Sequence, residues 1–112
     1  MASRCIKMDY EQAHCLIEVT REPEAATPTH VAHVYFVDPA DNGDVVRPMV
    51  DLYGHRLRVE EESATAAARS AARYLEILFG RQQSPGENCE LMGATVGPPV
   101  VISDLTPDVV VH

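Results

Sequence analysis

The residue types best suited to acid–base chemistry gather near the middle of the chain. Asp51 and His55 stand four positions apart, with Tyr53 between them. A carboxylate, a phenol and an imidazole held together can take up and deliver protons. Asp51, Tyr53 and His55 are therefore the candidate pocket of a small-ligand-binding protein or an enzyme. Glu60 to Glu62 follow closely and could join this group, although acids just before a helix more commonly complement its dipole.

Metal binding is the second chemistry to consider, because His30 and His33 are closely spaced. They fall in a stretch predicted as a strand, where residues three apart point to opposite faces. The two imidazoles then cannot share one ion, and neither Cys-x-x-Cys nor His-Glu-x-x-His occurs in the sequence. We expect no metal. Without a glycine-rich phosphate loop or a nucleophile elbow, we also expect no cofactor and assign no catalytic residue.

The cysteines, Cys5, Cys15 and Cys89, are odd in number and lack the spacing of metal ligands. This pattern favours reduced thiols and a cytoplasmic location. Cys15 falls on the apolar face of a predicted strand and Cys5 on the opposite face of its neighbour, so we expect no disulfide between them. Cys89 lies in a predicted linker, where an exposed thiol would be reactive.

Composition and charge narrow the function more than any motif does. The chain has 112 residues, of which 46% are hydrophobic, enough for one small domain. Its net charge of −8 disfavours binding to nucleic acid or to an anionic membrane surface. No apolar run is long enough for a signal peptide or a membrane span. The acidity favours a basic protein partner, or it serves solubility alone.

The clearest structural signal is a helical period over residues 64–79. Placed on a helix, the small and apolar side chains share one face: Ala64, Ala67, Ala68, Ala71, Ala72, Leu75, Leu78 and Phe79. Ser63 suits the N-cap, and Gly80 suits the position that ends the helix. The alanines let the first half of this helix approach a sheet closely, and the larger side chains fill the wider second half.

The segments before this helix are predicted as strands, at residues 4–10, 13–22, 30–37, 45–53 and 56–59. The first two can pair as a hairpin whose loop is Glu11-Gln12, which sets Met8 opposite Cys15. Glu-Gln is a poor sequence for a tight turn, so a longer loop or one bent strand remains open. Pro48 cannot donate to a ladder, which places its strand at an edge or bends it there.

These elements predict an α+β fold. An antiparallel sheet of four to five strands carries one long C-terminal helix on one face, and an extended tail follows. We expect a single domain over residues 1–80. Residues 81–112 form a linker and a tail rich in proline and valine, which is partly disordered or added to the sheet as a strand.

Strands followed by an alanine-rich helix resemble, in outline, the second half of a double-stranded RNA-binding domain, over about Val31 to Phe79. That family carries basic residues at the start of this helix, where this chain has Glu60, Glu61 and Glu62. The likeness therefore concerns the helix-on-sheet outline and does not imply RNA binding. HicB-like antitoxin domains, which also place a helix after a small sheet, are a looser likeness.

Two groups of apolar residues are left over when the helix packs on the sheet. Tyr74 borders the apolar face of the helix, and Ile77 lies well away from it. On the third strand, Val31 and Tyr35 belong to a side too apolar for comfortable solvation. These four residues form the candidate interaction surface, with scattered surface apolar residues as the ordinary alternative. The leading hypothesis is a small acidic, non-catalytic interaction module that forms a homodimer and binds a protein partner.

Overall fold

The computed structural model describes residues 4–22, 29–38, 45–89 and 95–105. The chain begins with the strands β1 (Arg4–Asp9), β2 (His14–Glu22), β3 (Thr29–Asp38), β4 (Val45–Val50) and β5 (Arg58–Glu61). Helix α1 (Ala64–Phe79) follows. The remaining elements are β6 (Glu87–Cys89), β7 (Thr95–Val96), β8 (Val100–Val101) and the short helix α2 (Ile102–Leu105). The predicted α+β class is confirmed.

All the strands belong to one sheet, in the order β6-β1-β2-β3-β4-β7, with β5 paired to β3 and β8 paired to β4. The described strands number eight, more than the four to five predicted. The sheet is also mixed rather than antiparallel, because β7 and β8 run parallel to β4. The additional strands are two or three residues long, too short to show the alternation from which strands are predicted.

The first hairpin has the predicted register. Met8 lies opposite Cys15 in the antiparallel pairing of β1 with β2. The Tyr10 N–H donates to the Ala13 carbonyl at 2.8 Å, which closes the two-residue loop. The interpretation as a tight hairpin is therefore confirmed, and the longer loop and the bent strand are excluded.

Contacts from the end of α1 hold this hairpin loop. The Gln12 N–H donates to the Phe79 carbonyl at 2.9 Å, and the Glu11 N–H donates to the Arg81 carbonyl at 3.0 Å. The Glu11 carboxylate in turn accepts from the Arg81 N–H at 2.8 Å. Tertiary hydrogen bonds thus satisfy the loop backbone, although Glu-Gln is poorly suited to a tight turn.

The strand that contains Pro48 is covered by the C-terminal segment. β7 and β8 both pair with β4, and residues 97–99 separate them. Pro48, Pro98 and Pro99 have no N–H to donate. The parallel ladder is interrupted where these prolines lie, so Pro48 is tolerated without leaving β4 unpaired.

Helix α1 packs on β2, β3 and β5 and has the predicted bounds. The Ser63 hydroxyl caps it by accepting from the Ala66 N–H at 3.1 Å. Gly80 ends it with a φ of 90°. The buried residues of the helix are those of the predicted face: Ala67, Ala71, Leu75, Leu78 and Phe79. With Ile17, Val34 and Met49 of the sheet they form the main core.

A smaller cluster lies on the opposite face of the sheet. Its buried members are Cys5, Leu16, Tyr35 and Val46, with Val37 and Cys89 packed beside them. The two clusters follow from the pleat, because successive residues of a strand point to opposite faces. Cys15 belongs to the main core and Cys5 to the smaller cluster, so the expected separation of these two thiols is confirmed.

Candidate functional site

The connection between β4 and β5 is a compact, exposed turn built around Asp51. The Asp51 carboxylate accepts from the backbone N–H groups of Tyr53 and His55, at 2.8 and 3.0 Å. The Gly54 N–H donates to the Asp51 carbonyl at 3.0 Å, and Gly54 adopts a φ of 83°. An aspartate that bonds to backbone two residues ahead is a common way to fix such a turn.

This turn explains the environment of the predicted acid–base group. The hydrogen bond from the His55 backbone, followed by that from Tyr53, lowers the pKa of Asp51. Its carboxylate is therefore ionised and already engaged by the backbone, which makes it a weak base. The His55 Nδ1 lies 3.7 Å from the second carboxylate oxygen, beyond a good hydrogen bond.

The side chains of Tyr53 and His55 point into solvent. Tyr53 is 84% exposed, and its ring centroid lies 6.4 Å from that of His55. Leu52, beside them, is 73% exposed. The structure brings Asp51, Tyr53 and His55 together as one turn, but the pocket next to it is lined by other residues.

That pocket lies between α1 and the sheet and measures about 220 Å³. Its lining comes from β3, β5, the approach to β5 and the helix: Val34, Leu57, Arg58, Val59 and Tyr74. The wall is almost entirely apolar. We call it the α1–β5 pocket. Tyr74 is among the residues expected at an interaction surface, whereas the sequence around Leu57 and Val59 predicts only a short strand and gives no sign of a pocket.

Tyr74 connects the α1–β5 pocket to the turn. Its side chain is 37% exposed. Burial, and next the negative charge of Asp51, raise the pKa of the Tyr74 phenol. Asp51 thus lies close enough to act on this hydroxyl through its field. The predicted helix residue and the predicted acid–base residue therefore belong to one region, which the sequence did not reveal.

Ile77 stands one turn along α1 from Tyr74 and is 73% exposed. Ile77 is not part of the main core. With Leu52, Tyr53 and Tyr74 it accounts for four of the five large apolar side chains exposed in the described part of the chain; the fifth is Val96 on β7. Burial on folding does not explain these side chains, so they are available for contact.

Val31 and Tyr35 differ from the helix residues, because the single chain already buries them to 2% and 6% exposure. The Tyr35 hydroxyl donates to a Glu18 carboxylate oxygen at 3.2 Å. The Arg56 guanidinium lies over the Tyr35 ring at 4.9 Å, in a cation–π arrangement. These contacts correct the expectation that this side of β3 needs a partner to cover it.

Two of the three glutamates before α1 have local partners. Glu60 pairs with Arg58, and the Glu61 carboxylate accepts from the Ser70 hydroxyl at 3.1 Å. On β3, the pairing register puts His30 and His33 on opposite faces, since they are three residues apart. Within residues 4–22, 29–38, 45–89 and 95–105, no group of three or more His, Cys, Asp or Glu is placed to hold a metal ion.

Comparisons with known proteins found no matching family model, no matching curated protein and no matching solved structure. Among the helices of the described residues, none has the length and apolar character required to cross a membrane.

Proposed function

We propose that this protein is a small acidic, non-catalytic interaction module that binds an apolar side chain of a protein partner in the α1–β5 pocket. The observation that carries this proposal is an almost wholly apolar pocket, lined in part by Tyr74, with the exposed Ile77 one turn away. Interfaces place aromatic and aliphatic anchors in such pockets and surround them with less critical contacts.

The size of the pocket favours one anchoring side chain over a free small molecule. Pockets for drug-sized ligands measure roughly 300–1,000 Å³, whereas this one measures about 220 Å³. A single leucine or phenylalanine side chain suits the smaller volume. The exposed Leu52, Tyr53 and Ile77 would then contact the partner's backbone around the anchor.

Charge favours a basic partner. The chain carries a net charge of −8, so a second copy brings the same charge, while a basic protein is attracted. A homodimer through the same surface is the alternative within this hypothesis. The acidity also argues against nucleic acid as the partner. Cytoplasmic location belongs to the proposal too, supported by the odd number of cysteines without metal spacing.

The rival function is small-ligand binding or catalysis at Asp51, Tyr53 and His55. It has less support, because these residues form an exposed turn and line no part of the α1–β5 pocket. The Asp51 carboxylate is also committed to backbone hydrogen bonds.

Selection from a random peptide display library on the immobilised full chain tests the proposal. We expect enriched peptides to share one large apolar residue flanked by lysine or arginine. Ile77→Lys should weaken binding of a selected peptide at least tenfold, because it places a charge beside the apolar anchor and repels the basic residues that flank it. Light scattering on the free chain separately reports whether a second copy is the partner.

Val96→Lys is the matched control, since it introduces the same charge at an exposed valine outside the pocket. It should leave peptide affinity within about twofold, a change of roughly 0.4 kcal/mol. Equal losses in both variants would show a general charge effect and contradict the proposed site. Enriched peptides without an apolar anchor would contradict the proposed recognition.

A further inference from the structure

The edge of the sheet at β1 holds a second site, unrelated to the α1–β5 pocket. β6 pairs antiparallel with β1, and Cys5 lies directly opposite Cys89 in this ladder. Their Sγ atoms are 2.9 Å apart. The two residues are 84 positions apart in the chain, so no local pattern brings them together.

The backbone geometry suits a covalent bond between these thiols. Directly opposed residues of antiparallel strands have Cα atoms about 4.5–5.5 Å apart. Disulfides span Cα separations of about 4.4–6.8 Å, so both strands can keep their places. The sulfur atoms need approach by only about 0.9 Å to reach the S–S bond length of about 2.05 Å.

Neighbouring contacts hold the segment before β6 against β1. The Gln83 N–H donates to the Asp9 carbonyl at 2.8 Å, and the Ser84 hydroxyl donates to the Asp9 carboxylate at 3.2 Å. Gly86 packs so tightly that a Cβ there would lie 2.7 Å from the Met8 sulfur. The strand pairing therefore orients both thiols before any bond forms.

We propose that Cys5 and Cys89 form a reversible disulfide when the chain meets a small-molecule disulfide such as oxidised glutathione. The bond would fasten β6, and with it the start of the C-terminal segment, to the edge of the sheet. This site is a modification site of the thiol pair and is independent of the proposed partner pocket.

The chemistry proceeds in two exchanges. Cys89, the more accessible of the two, attacks oxidised glutathione as a thiolate, forms a mixed disulfide and releases one glutathione thiolate. Cys5 then loses its proton to solvent and attacks the Cys89 sulfur, which releases the second glutathione. Two protein thiols are oxidised to one disulfide, and one glutathione disulfide is reduced to two thiols.

The second exchange sets the rate. In the free dithiol, burial first, and then the hydrogen bond and charge of Cys89 and the charge of Glu18, raise the pKa of Cys5 to about 12. Once Cys89 is bonded to glutathione, burial and the charge of Glu18 still hold the pKa of Cys5 above its ordinary value. Little Cys5 thiolate exists near neutral pH, so ring closure is slow. Because the thiolate fraction rises tenfold per pH unit below the pKa, closure should accelerate by about tenfold from pH 7 to pH 8.

The test incubates the folded full chain with oxidised glutathione and follows its intact mass. We expect the loss of two hydrogens, reversed by dithiothreitol. Trypsin then separates the cysteines, because Cys5 lies in residues 5–7, Cys15 in residues 8–21 and Cys89 in residues 82–112. The expected product joins the first of these peptides to the third. Cross-linking should also raise Tm on the order of 10 °C.

The Cys15→Ala variant keeps Cys5 and Cys89 and should form the disulfide as the wild-type chain does. The Cys89→Ser variant should leave Cys5 unmodified. A mixed disulfide on Cys89 of the wild-type chain that does not go on to close at pH 8 would overturn the proposal, as would a bond to Cys15 or a dimer linked through Cys89. Persistence of all three free thiols in the folded chain at pH 8 would overturn it as well.

Discussion

Leu75 and Ile77 are two residues apart on α1, yet Leu75 is fully buried and Ile77 is 73% exposed. Folding explains why the sheet-facing side of the helix is apolar, since its side chains form part of the main core. Folding does not explain the apolar residues Tyr74 and Ile77 on the other side, because their side chains remain partly or largely exposed to water. The exposed apolar residues of α1 therefore support the proposed interaction surface, because folding alone does not bury them.

The largest expected effect comes from the sheet-facing side. Phe79 is 1% exposed in the main core, so Phe79→Ala should lower the free energy of unfolding by about 3–5 kcal/mol. Ile77→Ala, on the other side of the helix, should lower it by less than about 1 kcal/mol. Urea denaturation measures both. A loss below about 1 kcal/mol for Phe79→Ala would remove the distinction between the two sides.

The end of the helix gives an intermediate effect. Gly80 has a φ of 90°, and a Cβ there would lie 3.1 Å from the Glu11 Cβ. Gly80→Ala should therefore lower the free energy of unfolding by about 2 kcal/mol, because it strains the backbone and displaces the hairpin loop.

Gly54→Ala is the matched control for this substitution. Gly54 has a similar φ of 83°, but a Cβ there meets no atom within 4 Å. Gly54→Ala should lower the free energy of unfolding by about 1 kcal/mol, from backbone strain alone. Equal losses of unfolding free energy in the two variants would show that crowding against Glu11 adds no cost at Gly80.

The smallest effect concerns Tyr74, on the exposed side of α1, and the charge of Asp51 in the turn between β4 and β5. Asp51→Asn removes a negative charge near Tyr74 while keeping an oxygen that can accept the turn's hydrogen bonds. The pKa of Tyr74, which burial and this charge raise, should move down towards its ordinary value. Carbon-13 NMR of the tyrosine ring carbons resolves the four phenols during a titration.

A stability measurement checks the same link. Because the native pKa of Tyr74 is raised, the unfolded chain loses this proton first as pH rises above about 10. Deprotonation therefore destabilises the fold above that pH. The loss of unfolding free energy above this pH should be smaller in the Asp51→Asn variant than in the wild-type chain. An unchanged Tyr74 pKa in that variant would show that the turn and the helix do not interact.

The sequence predicted well where a local pattern was sufficient. Alternation alone gave the pairing of Met8 with Cys15, because a slip of one residue would move every side chain to the wrong face. The turn residues themselves argued against this hairpin. Its stability depends on carbonyls of Phe79 and Arg81, which no inspection of residues 11 and 12 could supply.

The candidate site was predicted only in part. Tyr74 and Ile77 stand out from the helical period, and both are exposed in the structure. The α1–β5 pocket also needs Leu57 and Val59, whose proximity to Tyr74 depends on how β5 docks beside α1. The turn at Asp51 was found as a cluster in sequence, but its role in closing backbone hydrogen bonds required the fold.

By itself, the sequence determined the bounds and buried side of α1, because caps and period act within a few residues. The tertiary structure decided that Val31 and Tyr35 are covered within one chain. It also placed strands of the C-terminal segment at both edges of the sheet, beside β1 and beside β4. It also decided that Cys5 faces Cys89. The physical reason is the same in each case: these contacts join segments far apart in the chain, and their partners are set by packing rather than by local pattern.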